Sequence, residues 1–102
     1  MAITIGRYTF DGPYTDIGDL MDRSGVYAIH DWRTTGYHLV DVGESAQVRT
    51  RVENHDRKLC WNGNRQGTLT VSALYTPNLQ QAGRMFIEQE IRKQFNPPCG
   101  ER

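Results

Sequence analysis

The stretch "DVGESAQVRTRVENH", residues 41–55, holds the residues with most chemistry in them. Val48, Arg51, Val52 and His55 stand at i, i+3, i+4 and i+7, a spacing that the helical period brings to one face. Val48 and Val52 are the large apolar residues of this segment, so they define the inward stripe and carry a guanidinium and an imidazole with it. Burying a guanidinium without a partner is costly, so an inward arginine calls for a carboxylate or an anionic ligand at a partly open site. The plainer alternative is that Arg51 reaches along the stripe to solvent and His55 merely ends the helix.

Other residues invite the same question. In "IEQEIRKQF", Ile87, Ile91 and Phe95 form an i, i+4, i+8 stripe, and Glu88 flanks it. Glu90 comes nearly as close if Leu79, Ala82 and Phe86 are counted, so the helical wheel leaves both carboxylates open. Tyr27 alternates with Val26 and faces the opposite side of its strand, where a tyrosine more often packs than reacts. Arg49, Arg57, Lys58 and Arg65, with Trp61 among them, form a basic and aromatic segment that could follow a nucleic-acid backbone and stack on a base. An ordinary solvated loop would read the same way. His55, Cys60 and Cys99 lie at irregular spacing and make a weak case for zinc.

The elements that must position these groups fit one domain. The chain has 102 residues, enough for a single modest core, and 12 basic residues balance 12 acidic ones. Phosphate binding would therefore need a local patch. Two cysteines, Cys60 and Cys99, do not make a disulfide framework, and a reducing cytoplasm is the expected setting. The opening "MAITIGRYTF" has neither a leader pattern nor an apolar run fit for a membrane.

Residues 1–24 read as a lead-in covering a sheet edge, with a turn at Asp11-Gly12-Pro13 and a short helical run around Asp16–Asp22. "GVYAIHDW" and "YHLVDVG" read as two antiparallel strands, and Ser45 as the N-cap of a helix to about Asn54 or His55. "DRKLCWNGNRQG" reads as a loop and "TLTVSALYT" as a third strand. Thr76-Pro77 is the expected start of a long helix from Asn78 to about Phe95. The order predicts an α+β fold with a small three-stranded sheet flanked by helices. Strand alternation sets Asp41 with Leu39 and Gly43, away from Val40 and Val42.

Taken in order, "GVY" at Gly25–Tyr27, "DVGES" at Asp41–Ser45, "RTRVENH" at Arg49–His55 and "EQEIRKQFNPP" at Glu88–Pro98 resemble the GIY-YIG nuclease superfamily. The resemblance covers Gly25 to Cys99. It implies a single GIY-YIG-like domain over residues 1–102 that hydrolyses phosphodiester bonds as an endonuclease, on DNA ahead of RNA. It selects Glu88 over Glu90 as the ligand of one divalent ion, Mg²⁺ or Mn²⁺. It makes Arg51 the clamp on the phosphate oxygens and Tyr27 the general base or its positioner, with His55 tuning that tyrosine or taking the proton itself. Two positions depart from the pattern: Asp41 stands where the second motif has tyrosine, and Gly100 where the family ends on asparagine. Asp41 could serve instead as a second metal ligand or a water-orienting base. The competing implication is a catalytically silent nucleic-acid-binding or protein-interaction module on the same fold.

Overall fold

The structure, a computed structural model, describes residues 1–100. Its sheet has five strands, all antiparallel: β1 (Ala2–Ile5), β2 (Tyr8–Tyr14), β3 (Gly25–Arg33), β4 (Gly36–Ser45) and β5 (Thr68–Tyr75), in the order β1-β2-β5-β3-β4. The helices are α1 (Val48–Glu53), α2 (Lys58–Gly63) and α3 (Gln81–Phe95), with a 3₁₀ turn at Ile17–Asp19 in place of the expected helical run. The α+β class stands, but the three-stranded sheet is overturned, because the supposed lead-in pairs as a hairpin and extends the sheet through β5.

That hairpin has a local cause. Ile3, Ile5, Tyr8 and Phe10 alternate with threonines around Gly6-Arg7, and Ile5 pairs with Tyr8 across this two-residue loop. Gly6 takes φ of 61°, a conformation glycine adopts without steric penalty. The turn expected at Asp11-Gly12-Pro13 is instead an irregularity within β2, where its register against β5 shifts between Asp11 and Tyr14. A proline lacks the N–H that a regular ladder needs, and a bulge tolerates that loss.

Two further boundaries move. Ser45 closes β4, and its hydroxyl accepts from the Gln47 amide; the first turn of α1 is held by Asp22, which accepts from the Thr50 amide at 2.9 Å and its hydroxyl at 2.8 Å. α3 begins at Gln81, and the buried Thr76 hydroxyl has no partner among the described residues. The stretch expected to be a loop contains α2, whose Trp61 is buried. Phe95, expected on the α3 stripe, is 44% exposed, and Ile87 and Ile91 carry that face with Arg84 and Arg92.

Each face of the sheet has its own core. Tyr27, Ile29, Val40, Val48, Val52, Trp61, Val71 and Ala73 pack together under α1 and α2, whereas Val26, Ala28, Val42, Phe10, Ile87 and Ile91 pack under α3. The β3–β4 register shifts between Ile29 and His30, so Ile29 pairs with Asp41 and His30 with Leu39. Val40 is the extra residue of this bulge, and the alternation of β4 changes phase there. Val40 therefore lies on the α1 and α2 side while Leu39 and Val42 lie on the α3 side, which corrects the expected grouping.

β4 is an edge strand, and the carboxyl-terminal segment covers it. The Cys99 amide donates to the Val40 carbonyl at 3.0 Å, and Cys99 is disulfide-bonded to Cys60 in α2. The cysteines thus form a crosslink, contrary to the expectation from their number. Loop closure over a separation of 39 residues corresponds to about 4 kcal/mol in the chain-entropy treatment.

Candidate active site

Tyr27 and Gly43 are opposite one another in the β3–β4 ladder, and the phenol crosses the space a side chain at 43 would fill. A Cβ on Gly43 would lie 2.2 Å from the Tyr27 hydroxyl oxygen and 2.3 Å from Cζ. The glycine of the second motif is therefore a seat for the tyrosine of the first.

α1 packs Val48 and Val52 into the core, and the chain turns just beyond it so that His55 is buried with its Nε2 at 2.6 Å from the Tyr27 hydroxyl. The Arg57 backbone amide donates to His55 Nδ1 at 3.0 Å. Burial, assisted by Arg51 and Arg57, lowers the His55 pKa to about 4, so the ring is neutral near pH 7. A neutral imidazole has one N–H; with Nδ1 accepting, the proton belongs on Nε2, which donates to Tyr27. Burial pushes the Tyr27 pKa up to about 12, opposed by the charges of Arg51 and Arg57.

Arg51 lies at the edge of the same site, partly exposed, with Nη2 at 3.0 Å from Asp56. Glu88 enters from α3, and its Oε2 accepts from Arg92 Nε at 3.1 Å. Burial raises the Glu88 pKa against the pull of Arg92. Both Glu88 and Arg51 contribute to the electrostatic field at Tyr27. Glu90 belongs elsewhere: Arg7 donates to both its oxygens at 2.9 Å and Tyr8 donates at 3.0 Å. The two glutamates thus have different partners, Arg92 for Glu88 and Arg7 for Glu90.

Asp41 is fully buried under donors. Its Oδ1 accepts from the Val42 amide and from Arg92 Nη2, each at 2.8 Å. Its Oδ2 accepts from Arg57 Nε at 2.8 Å and Trp61 Nε1 at 2.7 Å. Arg92, which sequence reading passed over, is buried and also donates to the Cys99 and Val42 carbonyls. Only its position five residues after Ile87 and four after Glu88, which flanks the apolar stripe, hinted at an inward guanidinium. Gly100, at the place of the family's asparagine, lies against that guanidinium.

The basic segment divides. Arg65 is exposed, Arg49 and Lys58 are half-buried, and Lys58 donates to the Glu53 carbonyl. Arg57 turns inward to Asp41. Trp61 is only 4% exposed, with its ring 4.6 Å from that of His55, so it is a wall of the site and has no face for an incoming base. Beside it lies a largely apolar pocket of about 230 Å³, lined by Tyr14, Ile17, Ile29, Trp61, Leu69 and Val71, with Lys58 as its charged lining residue.

No protein-family model, no curated protein and no solved structure matches this chain. Among the described residues, no helix is long and apolar enough to cross a membrane.

Proposed function

We propose that the chain hydrolyses nucleic-acid phosphodiester bonds as a metal-dependent endonuclease, with DNA ahead of RNA as substrate. The supporting observation is the Tyr27–His55 contact at 2.6 Å, with Arg51 and Glu88 both within electrostatic reach of it. Tyrosine and histidine close to a guanidinium and a desolvated carboxylate supply the parts such a reaction needs.

Among the described residues, no three His, Cys, Asp or Glu side chains gather into a metal cage. Mg²⁺ and Mn²⁺ need no such cage, because one or two carboxylates with waters and substrate phosphate suffice for Mg²⁺. Glu88 fits that part: it is desolvated, and among the described residues only its Oε2 is engaged, by Arg92. A bound ion would supply positive charge to the scissile phosphate and to the oxygen that leaves.

The remaining roles fall to the protein. Arg51 would exchange its partly exposed contact with Asp56 for the non-bridging phosphate oxygens, which match its planar fork. The resting Tyr27 phenol, already accepting from His55, has its own O–H free to orient a water. The His55 N–H and the nearby guanidiniums oppose the burial that raises the Tyr27 pKa to about 12, and so lower the cost of the phenolate that a base would need. This tautomer favours the tuning role for His55, since Nε2 already carries a proton.

Cleavage of plasmid, single-stranded DNA, duplex DNA and RNA in Mg²⁺ and Mn²⁺ is the direct test. Activity lost in Glu88→Gln and with chelator, and kept in Glu90→Gln, supports the assignment. A folded wild-type protein inert on every form overturns it and favours the silent binding module, which the saturated Asp41 carboxylate also suits. For location we propose the cytoplasm, where the Cys60–Cys99 bond seen in the structure would be held reduced; alkylation before lysis should then trap two thiols, and a bond that stays closed would instead point to an oxidising compartment.

A further inference from the structure

Asp41 has spent its acceptor capacity. A carboxylate offers about four lone-pair sites, and here the Val42 amide, Arg92, Trp61 and Arg57 occupy them. With no lone pair left for a metal or a water, this side chain can act only through the groups it holds. Arg92 and Trp61 are buried, but the Arg57 side chain remains 28% exposed. Its Nε is fixed at 2.8 Å from Oδ2, its Nη2 is a distant 3.5 Å from Oδ1, and its Nη1 has no partner among the described residues.

We propose that Arg57 is a second phosphate-binding cation of the cleft, and that Asp41 is the positioning residue that holds it there; this deepens the phosphodiesterase reading and rests on it. A guanidinium anchored along its Nε edge to a buried carboxylate keeps the outer N–H groups oriented for an anion, with little rotamer freedom left to lose on binding. The backbone of the same residue fixes the His55 tautomer through Nδ1, so one residue couples the phosphate site to the Tyr27–His55 pair. The Arg57 charge is also felt at Tyr27, His55 and Glu88. Arg51 and Arg57 thus contribute two cations beside one tyrosine, and the departure from the family at position 41 becomes the support of the second.

The test is equilibrium binding of a short fluorescein-labelled single-stranded DNA, in chelator, across a range of salt. Arg57→Gln should lower the slope of log affinity against log salt by about one and weaken binding about tenfold at low salt. Arg57→Lys should restore the slope and only part of the affinity, because a point charge replaces the fork. Asp41→Asn should weaken binding when Arg57 is present and should not when Arg57 is Gln, a coupling that simple loss of a negative charge cannot produce. If Asp41→Asn fails to fold, the half-exposed Arg57 variants decide the matter. An unchanged slope and affinity in Arg57→Gln overturns the proposal, even where the wild type cuts DNA. A slope that depends on Arg57 in a protein that cuts nothing sustains the phosphate site and overturns hydrolysis.

Discussion

His30 and His55 make an instructive pair. Both are buried, both have pKa values lowered to about 4, and each has Nε2 against a hydroxyl: Ser72 at 2.7 Å and Tyr27 at 2.6 Å. Desolvation alone accounts for the shift at His30. At His55 it is joined by the charges of Arg51, Arg57, Asp41 and Asp56. By alternation His30 lies with Val26 and Ala28, toward α3, whereas Tyr27 and its partner lie toward α1 and α2. A perturbed histidine bonded to a hydroxyl therefore does not mark a site; convergence of several charged groups on it does.

The sharpest way to break this comparison is to remove each hydroxyl. Tyr27→Phe should lower cleavage about 10²–10⁴-fold, as expected for loss of a general base, with the fold retained. Ser72→Ala should leave cleavage unchanged, and equal losses in a plasmid-nicking assay would make the two faces equivalent.

The two histidines should behave alike in stability while differing in activity. A histidine whose folded pKa lies below its unfolded value binds its proton in the unfolded chain first. The stability it contributes is full above about pH 6.5 and is lost as pH falls toward about 4. Denaturant unfolding at stepped pH should show this slope, up to about 3 kcal/mol per histidine. Replacing either His30 or His55 by Gln should remove a similar part of it, and a slope surviving both replacements would refute the two lowered values.

A smaller effect is expected at the tyrosine seat. Gly43→Ala places a methyl in van der Waals conflict with the Tyr27 ring, and overpacking of this kind costs about 1–3 kcal/mol. The His55 pKa, followed by NMR, should rise as Tyr27 is displaced, while that of His30 stays put. Smallest of all, Glu90→Gln should change neither thermal midpoint nor cleavage measurably, since its pair with Arg7 is solvent-exposed.

The inward stripe of α1 was legible because periodicity is local: Val48 and Val52 had to share a face wherever that helix docked, whereas the helix expected to reach His55 ends at Glu53 and the turn that follows brings His55 inward. The amino-terminal hairpin leaves a trace in the alternation of Ile3, Ile5, Tyr8 and Phe10 around Gly6-Arg7, which the lead-in reading of residues 1–24 leaves unused. α2 left a fainter trace, since "KLCWNG" spans too few turns to display a period. Val40 could not be phased from sequence, because a bulge is an agreement between two strands and neither strand records it alone.

The sequence by itself determined which residues lie on each local face: Tyr27 opposite to Val26, and Val48 in line with Val52. Their partners were left to tertiary structure, because hydrogen bonding between residues far apart in the chain depends on how the layers stack. Folding brings Arg92 from α3 and Trp61 from α2 to the same carboxylate of Asp41, leaves Glu88 beside Arg92 and sends Glu90 to Arg7, and joins Cys60 to Cys99 across 39 residues. A buried carboxylate is compatible with a metal, a base or a buttress until its neighbours are known. At Asp41 four donors supply that answer, and no pattern along the chain announces them.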